Sequence, residues 1–133
     1  MISFCPQEDI LVPDLTVLEH LELFADLKNV KEKAALLEEK AKATSITDIL
    51  DLKVCTLSEG QKRKVSICIA LLGEAKFVIL DEPTCNLDIN SRQMVWEAIS
   101  EIQANSNASF LISTQHLEEA EYLSSLICII KDG

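Results

Sequence analysis

The chain has 133 residues, 48% of them hydrophobic, and its 22 acidic against 12 basic side chains leave a net charge of −10. A chain of this size fits one domain that buries roughly two-thirds of its unfolded surface, and its acid excess excludes a broad nucleic-acid interface, which needs clustered Lys and Arg. The longest apolar runs, Ile67 to Leu72 and Leu126 to Ile130, fall well short of the about 20 residues that cross a bilayer.

Met1 opens no pattern of basic stretch, apolar core and small-residue cleavage site, so no secretory signal is expected and a cytosolic location is. Five cysteines, Cys5, Cys55, Cys68, Cys85 and Cys128, are widely spaced, with no Cys-x-x-Cys and only two histidines beside them. They read as reduced thiols rather than a disulfide framework or a metal site.

In chain order, Thr16 and Glu19 make a capping box ahead of Val17, Leu21 and Phe24 at helical spacing, which predicts a helix from about Val17 to Lys28. A stretch rich in Ala, Leu, Glu and Lys predicts a second helix from about Val30 to Ala43. Ser58 and Gln61 form another capping box, and Val65, Cys68, Ile69 and Leu72 repeat on one helical stripe behind it. The basic cluster Lys62-Arg63-Lys64 on that helix reads as a solvated turn.

The character then changes. Phe77 to Leu80 is wholly apolar and ends at Asp81-Glu82-Pro83, as a strand covered on both faces would. A helix with Met94, Val95, Ala98, Ile99 and Ile102 on one side follows, then a strand over Phe110–Ile112, a short helix from Leu117 and a strand over Leu126–Ile130. Trp96 and Phe77 lie on apolar patterns and are expected in the core, and His20 is expected to be an ordinary helix residue. A helical N-terminal part joined to an alternating C-terminal part predicts an α/β fold, a doubly wound core carrying a helical insertion.

Four apolar residues followed by Asp81 and Glu82 make a Walker B pattern, in which a strand delivers carboxylates to the sheet edge where ligands collect. Any buried strand can end in two acids, so the neighbouring motifs decide. Upstream stands Leu57-Ser-Glu-Gly-Gln61; downstream stand Asn86-Leu-Asp88 and Ser113-Thr-Gln-His116. In this order the chain resembles the ATP-binding cassette (ABC) ATPases, with signature loop, Walker B strand, D-loop and switch histidine, and Cys5-Pro6-Gln7 resembles their glutamine loop. Cys-Pro-Gln, Leu-Thr-Val-x-Glu-His, Gln-Lys-Arg-Lys and Ser-Thr-Gln-His-Leu-Glu-Glu-Ala look most like the A subfamily, known as lipid exporters.

The resemblance implies the C-terminal part of a P-loop NTPase (RecA-like) core with an inserted helical subdomain. Residues 1–75 would hold the glutamine loop, helical subdomain and signature helix, and residues 76–133 the run from Walker B to the switch histidine. It also implies ATP and Mg²⁺ as cofactors. Glu82 would be the general base, a role worth about 10²–10⁴-fold, and Asp81 would hold Mg²⁺ through water. His116 and Gln7 would sense the γ-phosphate, with Gln7 also near the metal. Ser58, Gly60 and Gln61, at a helix N-terminus suited to an anion, would meet the nucleotide of a second cassette in a head-to-tail dimer, and Asp88 would couple the two sites. Ser58 serves equally well as a simple helix cap. Transmembrane domains of a parent transporter would be the other partner, on the cytoplasmic face of a membrane, while the chain itself is expected to be soluble.

Two departures stand out. Glu59 occupies a signature position where glycine is usual; a unit charge about 6 Å from phosphate costs about 3 kcal/mol at an effective dielectric of 20, enough to slow turnover. The only glycines are Gly60, Gly73 and Gly133, so no Gly-x-x-x-x-Gly-Lys-Ser/Thr loop exists, and the adenine-stacking aromatic would precede Met1. The chain therefore reads as a fragment of a longer transporter, inactive alone. Two other functions are open: a non-catalytic cassette kept for dimer contact, favoured by the missing loop and by Glu59, and a non-transport ABC ATPase. The spacing from Gln7 to Ser58 leaves no room for the long coiled coil of chromosome-maintenance members, and the acidity disfavours a translation factor.

Overall fold

Three parallel strands lie side by side in chain order in the computed structural model, which describes residues 2–73 and 75–131: β1 (Ile2–Cys5), β2 (Phe77–Asp81) and β3 (Ser109–Ser113). Cys5 sits beside Leu80, and Asp81 beside Ser113. Between β1 and β2 run α1 (Val17–Leu27), α2 (Lys33–Ala43) and α3 (Glu59–Leu71); α4 (Ile89–Asn105) joins β2 to β3, and α5 (Leu117–Leu123) follows β3. This is the expected α/β fold, with helices inserted ahead of β2. The outer ends of the predicted ranges, at Met1 and at Asp132 and Gly133, lie outside the described residues.

The core has two parts, and α3 belongs to both. Val65, Cys68, Ile69 and Leu72 pack with Val17, Leu21, Leu37, Ile46 and Ile49 in a helical cluster. From the other side of the helix, Ile67, Ala70 and Leu71 join Val78, Leu80, Val95, Trp96 and Ile99 over the sheet. A helix apolar on most of its circumference must be buried on most of it, which is how α3 ties the two parts together. Thr16 and Ser58 both make the expected capping boxes.

Several expectations are corrected. Arg63 and Lys64 are not solvated: they are 4% and 5% exposed, because their heads reach backbone carbonyls while their stems lie in the packing. Strand β2 alternates instead of being covered on both faces, and Phe77 is 37% exposed rather than core, whereas Trp96 is buried as expected. Phe77 stands on a bare sheet face with Ile2, Phe4 and Leu111. Met94 is exposed, outside the buried stripe of α4, and α2 begins at Lys33 rather than Val30. Leu126–Ile130 forms no strand and is exposed, pairing with neither edge of the three-stranded sheet. His20 is fully buried, its Nε2 accepting from the Val12 N–H at 2.8 Å and its Nδ1 lying 2.9 Å from the Thr16 carbonyl, which together fit the tautomer protonated at Nδ1.

Candidate functional site: the carboxyl edge of a parallel sheet

Parallel strands end together, so the segments leaving β1, β2 and β3 gather Gln7, Asp81 with Glu82, and His116 at one edge. Ser113 fastens the last two strands there: its hydroxyl donates to Asp81 Oδ1, while Glu82 N–H donates to the Ser113 carbonyl at 3.1 Å and lies 3.2 Å from its Oγ. Glu82 has φ of 45°. A non-glycine residue in that region stores about 1–3 kcal/mol, and such strain collects at functional sites. It is held here by the Ser113 contacts and by a turn in which Cys85 N–H donates to the Glu82 carbonyl at 3.1 Å.

Gln7 is exposed, and its Nε2 points to the Cys85 sulfur at 3.3 Å, directing the amide oxygen elsewhere. His116 is half-buried at the cap of α5, its N–H bonded to the Thr114 hydroxyl at 3.0 Å. Asp81 and Gln7 thus offer oxygens of the kind Mg²⁺ takes, an ion that uses few carboxylates and completes its shell with water and phosphate. Among the described residues no group of three or more His, Cys, Asp or Glu gathers to hold an ion unaided.

The remaining predicted site residues collect around the starts of α3 and α4. Ser58 Oγ accepts from Gln61 N–H at 3.3 Å, and Gln61 Oε1 accepts from Ser58 N–H at 3.0 Å. Gly60 is buried, and a Cβ there would come within 2.8 Å of Ser91 Cβ, so its bareness makes room for α4 of this same chain. Asp88 caps α4, accepting from the N–H groups of Asn90 and Ser91 at 3.0 Å each and from Ser91 Oγ at 2.6 Å. The Ser91 hydroxyl and the backbone donors hold its carboxyl below the usual range. Glu59 pairs with Lys62 at 2.7 Å, an exposed contact that offsets part of the charge its position introduces. An open cleft of about 630 Å³ runs between Gln7, Glu59, Arg63 and Asn86; of the predicted site residues Gln7 lines it, and Asp81, Glu82, His116, Ser58, Gly60, Gln61 and Asp88 do not.

Two residues at the edge were missed by the sequence reading. Arg63, read as a surface charge, lies between Gln7 and Glu82 with all its nitrogens engaged. Glu119, fully buried, accepts from Thr84 Oγ1 at 2.6 Å and Trp96 Nε1 at 2.8 Å, tying the turn after Glu82 to α4 and α5. Each sits in a charged run, Lys-Arg-Lys or Glu-Glu, where sequence alone does not say which member turns inward.

A parallel α/β sheet with two acids and a histidine at its carboxyl edge is an arrangement found in nucleotide-binding domains, and the similarity to known proteins places the chain in the P-loop NTPase class. A model of the ABC transporter family matches residues 1–85, and the chain belongs to that family. It is 38% identical over 134 residues to the mouse ABC-type organic anion transporter ABCA8B, the match covering 99% of this chain and 8% of that protein. Identity is also 38% to the human retinal-specific phospholipid-transporting ATPase ABCA4, over 99% of this chain and 6% of that one. It is again 38% to ABC transporter A family member 10 of Arabidopsis thaliana, over 99% and 15%. The chain thus spans a small part of these relatives' length. Among solved structures it superposes on the ATP-binding cassette MJ0796, described as a dimer after hydrolysis bound to ADP and Pi, with a TM-score of 0.75 and 24% identity, over 91% of this chain and 55% of that one. Among the described residues no helix is long and apolar enough to cross a membrane.

Proposed function

We propose that this chain supplies the catalytic edge and signature helix of an ATP-hydrolysing cassette in an A-subfamily transporter that moves lipid. The observation that supports this reading is that β1, β2 and β3 run parallel and in register, so the segments bearing Gln7, Asp81 with Glu82, and His116 leave the sheet at one edge, the place where ligands lie in open α/β sheets. The phospholipid named for the human relative supports the choice of cargo class, and the transporters named among the relatives support a station at a membrane's cytoplasmic face.

In this reading residues 1–75 form the glutamine loop, helical subdomain and signature helix, and residues 76–133 the Walker B to switch-histidine part. Glu82 accepts the proton of the attacking water, and its strained backbone keeps the carboxylate turned out of the strand. His116 donates a hydrogen bond to the γ-phosphate side of the nucleotide, and Gln7 senses that side through its amide oxygen, which would face the Mg²⁺ and the attacking water. Asp81, fixed by Ser113, would hold Mg²⁺ through water, and the ion would supply charge neutralisation on the phosphates. Ser58 and Gln61 face the nucleotide of a second cassette, with Asp88 at the contact, while Gly60, packed against Ser91 of this chain, lets the two helix starts approach each other; the dimeric state of the solved neighbour supports this pairing.

Phosphate release from Mg-ATP tests the reading. In the complete transporter Glu82→Gln should lower turnover by at least about 10²-fold while nucleotide binding persists, because the amide keeps the shape and loses the basicity. The 133-residue chain by itself should show no turnover, since it has no loop to position the phosphate. Wild-type turnover in the Glu82→Gln transporter would remove Glu82 from its role. A transporter inactive from the outset would favour the non-catalytic interaction module to which Glu59 points.

A further inference from the structure

The Arg63 guanidinium makes six contacts inside the edge. Its Nη1 lies 2.6 Å from the Pro6 carbonyl, 3.2 Å from the Gln7 carbonyl and 3.0 Å from Asp9 Oδ1. Its Nη2 donates to the Asp81 carbonyl at 2.9 Å and lies 3.4 Å from that of Glu82, and Nε donates to the Pro83 carbonyl at 2.7 Å. A guanidinium has five N–H donors in a rigid planar fork, and here the fork spans the backbone of the Gln7 loop on one side and of Asp81-Glu82-Pro83 on the other. Its stem stands on α3, two residues after Gln61 and five after Ser58.

We infer that Arg63 is a positioning residue for ATP hydrolysis: it locks the Gln7 loop, the Glu82 turn and the signature helix into one unit, so that a shift of the Gln7 loop is passed to the general base. The inference rests on the functional reading above. Five of the six acceptors are backbone carbonyls, which leaves the reacting side chains free while fixing the segments that carry them. The sixth, Asp9, is a half-buried carboxylate that keeps the buried cation paired. The strained φ of Glu82 needs such support, because a backbone held in that region relaxes unless its surroundings over-determine it. A lysine in this place presents three donors from a single point and cannot span both segments.

Two measurements test this. In the 133-residue chain, hydrogen exchange of Arg63→Lys should quicken at Gln7–Asp9 and Thr84–Leu87 together, with Val17–Leu27 in α1 unchanged. In the complete transporter, Arg63→Lys should lower kcat for ATP about tenfold with KM within about twofold, the split expected when an interaction acts on the reacting geometry rather than on binding. If Arg63→Lys fails to fold, Asp9→Asn, which removes only the partner charge, takes its place and should quicken the same two segments to a smaller degree. Exchange that rises equally in α1, or in only one of the two segments, would reduce Arg63 to a packing residue and overturn the inference, as would an unchanged kcat. A transporter with no turnover that Glu82→Gln abolishes would defeat the functional reading instead, and the exchange result would still decide whether the two segments are joined.

Discussion

Buried titratable groups show at the scale of single residues what packing costs and what it hides. Cys68 lies inside the helical core, and burial pushes its thiol up to about 12, with the Thr44 hydroxyl and the more distant Lys40 and Lys28 pulling partly back. Its ordinary value is 9.0, so between about pH 9 and pH 12 the unfolded chain gives up a proton that the folded chain keeps. Stability is therefore intact below pH 9 and falls as pH rises through that window, by up to about 1.4 kcal/mol per pH unit. Cys5, raised to about 11 by burial, acts in the same direction. Lys28 and Lys64, whose ammonium groups burial lowers, act in the opposite one. Comparison of wild type with Cys68→Ala cancels the lysine contribution: denaturant melts at pH 8 and pH 10 should show a markedly smaller alkaline loss in the variant, and equal losses would remove Cys68 as their source. The stripe of Val65, Cys68, Ile69 and Leu72 is legible in the sequence because helical periodicity reports burial. The inward turn of Arg63 and Glu119 is not, because it depends on partners from distant segments, five carbonyls and Asp9 for Arg63 and the Thr84 and Trp96 donors on one oxygen of Glu119, and no local pattern announces those partners.

The helices end as informatively as they begin. Past α1, Asn29 takes φ of 55° and Val30 N–H reaches back to the Ala25 carbonyl at 2.9 Å; past α2, Ser45 takes φ of 52° and Ile46 N–H reaches the Ala41 carbonyl at 3.0 Å. Both are Schellman ends, which favour glycine because left-handed backbone crowds a Cβ. Asn tolerates that region far better than Ser does, so the strain is larger at Ser45. Replacing it with glycine should stabilise the chain by about 0.5–1 kcal/mol, the relief of the crowding less the added freedom of the unfolded backbone. A thermal melt of Ser45→Gly reads this as a rise of a few degrees, and a fall would mean that the serine side chain matters more than its backbone. The same ends explain why helix starts were legible and one boundary was not. Thr16 and Ser58 advertise N-caps by side chain, whereas α2 starts after Glu32 with no side-chain cap. Its pattern could therefore be extended back to Val30 with nothing in the sequence to stop it.

Sheet pairing belongs to the whole molecule, and it is where sequence reading reached its limit. Strand β1 is only four residues, Ile2–Cys5, too short for its alternation to stand out in the sequence; Leu126–Ile130 has the composition of a strand and pairs with nothing among the described residues. A strand is made by its neighbours' hydrogen bonds as much as by its own residues, so neither outcome was written locally. The same holds for the bare face. Inward positions of β1 and β2 are buried under α3 and α4, while Ile2, Phe4 and Leu111 on the other face are more than half exposed, with Phe77 beside them. Parallel sheets are normally covered on both sides, and an apolar patch left uncovered seeks a partner. The isolated chain should therefore associate with itself as its concentration rises, although its net charge of −10 opposes this by repulsion. The two effects separate in Phe4→Lys/Leu111→Lys, which places two cations in one cross-strand row and leaves the inward core untouched. If the bare face drives association, sedimentation velocity should find the variant more monomeric and binding less hydrophobic dye than wild type. If net charge governs association, the two lysines reduce the repulsion and the variant should associate more, which would refute the assignment of the bare face as the sticky surface.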